Sequence, residues 1–358
     1  MTVKKILLIL MILLVGNISF GQNKADAEKL VNEGVAYHDK GDYDGAISRY
    51  DKALALDKDN LLALSEKALT LNSLQKWEES ILICQRAIET HPGENGLRIV
   101  YVTYGNDLDD LKKTDKSVEI YDQGIKQFPN YYQLYFNKGI SLTSVKKYDD
   151  AILCFQKAVS INPKHAGSHN IIGRILNTSN RIPAILAFSR FLVIEPETKR
   201  AKENLSSLQE IMNRNVEVTG KKSINLNVSP DLLGDTISNG EVKENSFIST
   251  DVILTMAAAL DYDKKNKKKT KVEQFIRKFE TVCESLKESQ IGNYGFFWEY
   301  YVPYFTEMKD KNLVKPFAYI VFASSDYPDV SNWLKSNQSE IDKFYEWSKA
   351  FVWKTNQQ

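Results

Sequence analysis

The sequence has little cysteine: three residues among 358. Cys84, Cys154 and Cys283 are widely spaced and odd in number, so they do not form the disulfide framework of a small secreted domain. No pair has the Cys-x-x-Cys spacing of a zinc or redox site. We therefore expect all three to be small buried apolar residues.

Histidine is equally scarce, with four residues in the chain. His165 and His169 lie four residues apart, but no cysteine or acidic ligand pattern flanks them, and we expect both to be surface polar residues. The sequence also lacks a G-x-S-x-G nucleophile elbow, a glycine-rich phosphate loop and a dinucleotide-binding fingerprint. It therefore predicts no catalytic residue, no cofactor and no metal, although a catalytic triad assembled only in three dimensions carries no sequence signature.

Long apolar runs are absent apart from residues 6–15. Two lysines precede this run, and the small residues Ser19 and Gly21 follow it, as in a secretory signal peptide that is cut after Gly21. The run has about half of the ~20 residues needed to span a bilayer, which disfavours the alternative of an uncleaved anchor. We expect an exported protein (periplasmic, envelope-associated or secreted) with no integral span after cleavage of residues 1–21. The net charge of +1 gives no reason to expect a nucleic-acid partner.

Small and large side chains recur along the first half at a constant interval. The separation between Gly34 and Ala68 equals the separation between Pro129 and Pro163. Small residues permit close approach of two antiparallel helices, aromatic residues fill the space beside them, and the prolines end the second helix of a unit. Five copies are present, over residues of about 27–60, 61–94, 95–131, 132–165 and 166–198.

This pattern resembles the tetratricopeptide repeat, whose units of about 34 residues each contain two helices. The resemblance covers residues 25–198 and implies a mainly α protein with a solenoid of about five helix pairs over residues 22–198. An apolar stripe in residues 199–214 predicts a capping helix after the last pair. Because the third copy is three residues longer, we expect a longer turn within it around Asp109–Thr114.

A stack of such units has a concave groove formed by the first helix of each pair. Family members that grip a peptide carboxylate use Lys, Asn and Arg there, whereas this chain has Val31, Val35 and Leu69, which disfavours that mode. The groove is suited to an amphipathic helix or an extended apolar segment, or to the aromatic second half of the chain itself. The expected partner-binding residues are Val31, Val35, Leu62, Ser65, Leu69, Asn72, Phe136, Ile140, Asn170 and Arg174.

The second half predicts a linker over residues 215–247, with a small hairpin around Gly220, and then a smaller helical domain over residues 248–358. We expect its first helix to be capped by residues 249–251. Residues 294–353 hold 18 aromatic residues. They form either an aromatic core or a contact surface on which Trp298, Tyr300 and Tyr301 face outward. A run of lysines over residues 264–271 indicates a solvated loop, or else a site for phosphate or an anionic polymer.

These features favour an exported, non-catalytic scaffold that binds a protein or peptide partner through the groove. One alternative is an envelope enzyme with an unrecognised hydrolytic site in the second half, although that half contains no histidine. Another is a carbohydrate-handling envelope protein, because exposed Trp and Tyr side chains stack on sugars.

Overall fold

The computed structural model of the chain describes residues 23–220, 223–227 and 244–354. The signal peptide predicted over residues 1–21 lies outside these ranges. The described structure is mainly α-helical, with one short two-stranded sheet. The described residues divide into two compact units, one before residue 155 and the other from residue 155 onward.

The first unit is a series of helices joined by short turns. Its first helix, α1, is described over residues 23–39. The helices that follow are α2 (Tyr43–Leu56), α3 (Leu61–Ser73), α4 (Trp77–Thr90), α5 (Leu97–Asp110), α6 (Thr114–Gln127), α7 (Tyr132–Ser144) and α8 (Tyr148–Ile161), the last of which crosses into the second unit. Successive helices pack against each other from α2 to α7.

Each turn within a pair contains one residue in the left-handed region. Gly41 adopts a φ of 78° in the first pair, and Gln75, Lys112 and Lys146 adopt 60–61° at the matching place in the next three. Glycine takes this conformation without steric cost, whereas the three larger residues accept some strain. The turn geometry is thus preserved even where the sequence lacks glycine.

Glycine at one position of the first helix allows the second helix to approach. A Cβ added to Gly34 would lie 2.4 Å from the ring of Tyr50, and one added to Gly105 would lie 2.3 Å from the ring of Tyr121. Both tyrosines are fully buried, so neither ring has space to move away. The pairing of Gly105 with Tyr121 also sets the register of the third pair.

That register corrects the expectation of a longer turn around Asp109–Thr114. The turn between α5 and α6 spans residues 111–113, the same length as the turns at 74–76 and 145–147. Most of the insertion lies between α4 and α5, where residues 91–96 replace the four-residue connections at 57–60 and 128–131. The prediction was wrong because the spacing of the prolines does not show where within a copy the extra residues lie.

The second unit contains the fifth helix pair and the C-terminal helices. Its helices are α9 (Ala166–Leu176), α10 (Arg181–Ile194), α11 (Lys199–Asn213), α12 (Ile248–Ala259), α13 (Lys271–Glu288), α14 (Phe296–Asp310), α15 (Val314–Val321), α16 (Pro328–Ser336) and α17 (Gln338–Ala350). The predicted hairpin is present, with β1 (Val216–Val218) antiparallel to β2 (Ile224–Leu226).

The C-terminal helices differ from the sequence analysis in two places. Helix α12 begins at Ile248 after Phe247, and no side chain caps its N-terminus. Thr250 and Asp251 instead face inward, where Thr250 pairs with Ser285 and Asp251 with Arg181. The short helix α16, which starts with Pro328 in its first turn, was not expected at all.

Helix α10 is the centre of the second unit. Every residue from Arg181 to Val193 is buried. The helix packs against α9 and α11 on its repeat side and against α12, α14 and α15 of the C-terminal region. The fifth pair and the aromatic C-terminal helices therefore share one hydrophobic core.

Tyrosines of α14 contribute both apolar area and hydrogen bonds to this core. Tyr300 donates to the backbone oxygen of Val159 at 2.9 Å, and Tyr301 is hydrogen-bonded to Nδ1 of His169 at 2.7 Å. His169 is fully buried, and burial lowers its pKa to about 3. The expectation that His169 lies on the surface was wrong, because Tyr301 covers it.

The outward orientation considered for Trp298, Tyr300 and Tyr301 was also wrong, since their exposed fractions are 3%, 2% and 0%. Beside them, Arg190 is 3% exposed and stacks on the rings of Tyr304 and Trp353, each 4.9 Å from its guanidinium carbon. The aromatic residues of α14 thus form a core around a buried cation.

Candidate partner-binding surface

The first helices of the pairs form a continuous surface in the first unit. Helix α3 lies against α5, and α5 lies against α7. Because Gly105 aligns with Gly34, the third pair places Ile99, Val102 and Asn106 at positions matching the predicted groove residues of α3 and α7. The sequence did not reveal these three, since the insertion obscured the register of α5.

We define the inner face as the surface of α3, α5 and α7 that carries these matching positions. Leu62 is 47% exposed and Ile99 is 36% exposed. The remaining members are partly buried: Leu69, Asn72, Val102, Asn106, Phe136 and Ile140. Val35 of α1 is partly buried as well and packs against the core beneath it. This surface therefore presents two exposed apolar side chains, beside others that are partly buried.

Two of the predicted groove residues in the first unit are not available to a partner. Val31 is 0% exposed and packs with Ala27, Tyr50 and Ala63 in the core between α1, α2 and α3. Ser65 is 6% exposed. Both residues belong to the packing of the first unit, so we exclude their side chains from the binding surface.

Asn170 and Arg174 lie on α9, in the second unit. Asn170 is 7% exposed, whereas Arg174 is exposed. Only Arg174 offers a substantial side-chain surface for contact in this unit.

A depression of about 460 Å³ opens beside Leu62, at the N-terminal ends of α1 and α3. Leu56, Leu61 and Leu62 supply its apolar part. Its polar lining residues are Asn23, Lys24, Glu28, Asp57, Asp59, Asn60, His91 and Glu94. A site that combines apolar and polar side chains is typical of protein–protein contacts.

The inner face is supported by hydrogen bonds from its polar members to neighbouring helices. Asn72 of α3 donates from Nδ2 to Oδ1 of Asp107 on α5 at 2.7 Å, and Tyr121 of α6 donates to Oδ1 of Asn106 on α5 at 2.7 Å. Asp107 is fully buried, and its Oδ2 has no hydrogen-bond partner among the residues that the structure describes. Burial raises the pKa of Asp107 to about 6.

The raised pKa of Asp107 makes the stability of the first unit depend on pH. The folded state binds the carboxyl proton of Asp107 more tightly than the unfolded state does. The contribution of this proton to the free energy of unfolding is therefore complete below about pH 4 and is lost as the pH rises through about 6. We expect Asp107→Asn to raise the free energy of unfolding by about 2 kcal/mol at pH 8 and by much less at pH 4.5.

Urea unfolding followed by circular dichroism at both pH values measures this difference. Glu119→Gln, which removes a charge from an exposed position of α6, is the control and should change stability by less than about 0.5 kcal/mol at either pH. An effect of Asp107→Asn on the free energy of unfolding that is equal at pH 4.5 and pH 8 would contradict the raised pKa of Asp107.

Side chains with metal-binding or reactive potential do not converge in the described residues. No group of three or more His, Cys, Asp or Glu side chains is arranged there to hold a metal ion. Cys84 and Cys283 are buried, and burial raises the pKa of both thiols, while the partly buried Cys154 has a pKa raised to about 11. Thiols in this state are poor nucleophiles at neutral pH.

None of the helices in the described ranges combines the length and the apolar character needed to cross a bilayer.

Two family models of the same type of repeat match the chain. The model described as "Tetratricopeptide repeat" matches residues 132–165, and the model described as "TPR repeat" matches residues 34–75. Both matches lie within the repeats identified from the spacing of small and large residues.

Curated relatives match the repeat region as well. A small glutamine-rich tetratricopeptide repeat-containing protein of Dictyostelium discoideum is 28% identical over 184 residues, which is 51% of this chain and 52% of the relative. A STIP1 homolog of the same organism is 28% identical over 169 residues, or 39% of this chain and 30% of the relative. The match thus spans about half or less of the length of these relatives.

Among solved structures, the pilus biogenesis factor PilW has a TM-score of 0.45 at 16% identity, covering 67% of this chain and 96% of PilW. Because this TM-score lies below 0.5, the likeness supports no conclusion about function.

Proposed function

Because the chain is a tetratricopeptide-repeat protein, we propose that it is a non-catalytic scaffold that binds a protein or peptide segment through the inner face of its first unit. The observation that carries this proposal is the exposure of two large apolar side chains at matching positions of adjacent first helices, Leu62 on α3 and Ile99 on α5. Exposed apolar side chains on adjacent helices favour burial by a partner.

The chemistry of the depression supports a segment rather than a small molecule as the partner. Three leucines supply its apolar part, and charged and polar side chains line the rest. A peptide side chain placed beside Leu62 would contact the leucines, and its backbone and flanking residues would contact the polar lining residues.

Two substitutions on the inner face test the proposal. Leu62→Asp combined with Ile99→Asp places charges where the partner would bury apolar groups. The ligand is a peptide selected from a displayed random library. We expect its affinity to fall at least tenfold, since a buried unpaired charge costs more than about 1.4 kcal/mol. Calorimetry with the purified full chain measures the affinity.

The matched control is Leu82→Asp, because Leu82 is 65% exposed on α4 and lies away from the inner face. Circular dichroism verifies that each variant keeps its helical content. Equal affinity of the inner-face variant and the Leu82 variant would refute the inner face as the binding surface.

We further propose that the scaffold is exported, on the strength of the lysines, the apolar run and the small residues within positions 1–21. N-terminal sequencing of the protein from its native cell tests this, and a mature chain that begins at Met1 would exclude cleavage after Gly21.

A carbohydrate-handling role loses its main support, since Trp298, Tyr300 and Tyr301 are buried and unavailable to stack on a sugar.

A further inference from the structure

An exposed apolar ridge lies where α12 ends. Met256 is 58% exposed and Leu260, four residues later on the same side of the helix, is 50% exposed. Tyr262 follows in the 3₁₀ turn Leu260–Tyr262 and is 45% exposed. The other side of α12 is buried against the second unit through Leu254 and Ala258. These three large side chains therefore face water without helping to pack the helix.

A cluster of lysines lies directly beside this ridge. The turn Leu260–Tyr262 packs against a second 3₁₀ turn, Asn266–Lys268. Four lysines of this segment are exposed: Lys264, Lys265, Lys267 and Lys268. None of the four forms an ion pair within the described residues, in contrast to Lys278 of α13, which pairs with Asp261.

The acidic groups of the same segment are already engaged. Asp261 is 8% exposed, and its carboxylate accepts hydrogen bonds from Arg277 and Lys278. The carboxylate of Asp263 accepts from the backbone N–H of Lys265 at 2.8 Å and from that of Asn266 at 2.6 Å. Arg277 and Lys278 neutralise Asp261. Asp263 keeps its charge, because the backbone N–H of Asn266 lowers its pKa, and its hydrogen bonds hold the segment in place.

A second set of contacts fixes which side of the segment faces out. Asn266 is 6% exposed, and its backbone oxygen accepts a hydrogen bond from Nε2 of Gln274 at 3.1 Å. The capping box between Thr270 and Glu273 then starts α13. The polar anchors are thus buried, while the four lysines and the three apolar side chains are exposed on adjoining turns.

We propose that residues 256–268 form a docking site for the surface of an anionic lipid bilayer. Each lysine near such a surface is attracted to the lipid headgroups, and the apolar side chains insert at the boundary between headgroups and acyl chains. A soluble polyanion would require the lysines but would gain little from Met256, Leu260 and Tyr262. The presence of both features on one turn favours the lipid surface.

Vesicle co-sedimentation of the full chain tests this site. We expect binding to vesicles of phosphatidylcholine mixed with phosphatidylglycerol, no binding to phosphatidylcholine alone, and a large loss of binding between about 0.05 M and about 0.5 M salt. Lys264→Glu combined with Lys265→Glu and Lys267→Glu should lower the partition coefficient at least tenfold. Met256→Ser with Leu260→Ser should lower it at least threefold.

The matched control reverses three exposed lysines elsewhere in the same unit, Lys335, Lys343 and Lys349, and should leave binding within twofold. An equal loss in both triple variants would overturn the proposal, because it would show that net charge alone governs binding. Retention on heparin that depends on the lysines, without binding to either kind of vesicle, would also overturn it in favour of a soluble polyanion.

This site lies in the second unit and shares no residue with the inner face. Peptide affinity and vesicle binding are therefore measured separately, and failure of either proposal leaves the other standing.

Discussion

A chain that ends at Arg214 is expected to aggregate or to keep its fifth helix pair only in a loosely packed state. All residues of α10 from Arg181 to Val193 are buried, and α12, α14 and α15 provide one side of that burial. Full burial of one Leu, Ile or Phe side chain contributes about 1.5–3 kcal/mol. A typical domain has a free energy of unfolding of about 10 kcal/mol. Exposure of a few such residues therefore removes an amount of the same order.

Solubility, binding of a hydrophobic dye and hydrogen exchange measure the effect of this truncation. A chain that ends at Lys354 is the control, since it retains every helix described above. We expect fast exchange in α9 and α10 of the shorter chain and protected amides in those helices of the control. A soluble shorter chain with slow exchange in α10 would show that α11 alone is a sufficient cap.

The second large effect is expected for Asp251→Ala. Arg181 is buried with a side-chain exposure of 4%, and its Nη1 lies 2.6 Å from Oδ1 of Asp251. The same guanidinium donates to Thr255 and to the backbone oxygens of Ile211 and Met212 at the end of α11. Removal of the carboxylate leaves a buried cation without its counter-charge, which costs about 3–5 kcal/mol.

Urea unfolding and hydrogen exchange in α12 provide the measurement for Asp251→Ala. The comparison variant is Asp310→Ala, which breaks the ion pair with Lys287, where both side chains are about half exposed. An exposed pair of this kind is worth about 0–1 kcal/mol. Similar losses of stability in the two variants would mean that Arg181 finds enough compensation in Thr255 and the two carbonyl groups.

The helix pairs were predictable because their packing is local in sequence. Gly34 and Tyr50 lie on consecutive helices and contact each other within one pair, and Gly105 and Tyr121 repeat the arrangement at the same separation. Such a contact joins a small residue to a large residue sixteen positions later, so the sequence records it.

The shared core of the second unit was not predictable in this way, because its contacts join residues far apart in sequence. Tyr301 reaches His169 and Arg190 reaches Ser348, separations of 132 and 158 residues. The spacing of residues along the sequence does not indicate contacts over such separations. A buried histidine therefore cannot be distinguished from a surface histidine by its sequence context. The apolar character of both faces of α10 was the one local sign that a further layer covers it.

The binding role of the candidate surface stays a prediction, but the exposure of its residues shows the limit of repeat spacing. Leu62 is exposed and Leu69 is partly buried, whereas Val31 belongs to the core, and the sequence analysis did not name Ile99 or Val102. Repeat spacing places a residue on one side of its helix, whereas its exposure also depends on the side chains that pack around it. Val31 packs with Ala27, Tyr50 and Ala63, and the spacing of the repeats does not show this.

The enclosure of α10 restricts how this protein can change length over evolution. Arrays of repeats grow and shrink when whole copies are duplicated or lost, and a new copy inserted after the fifth would have to displace α12, α14 and α15 from the surface it needs. Duplication or loss is therefore expected among the copies before residue 155, so that homologues with more or fewer copies should still share the stretch from the fifth pair to the last helix.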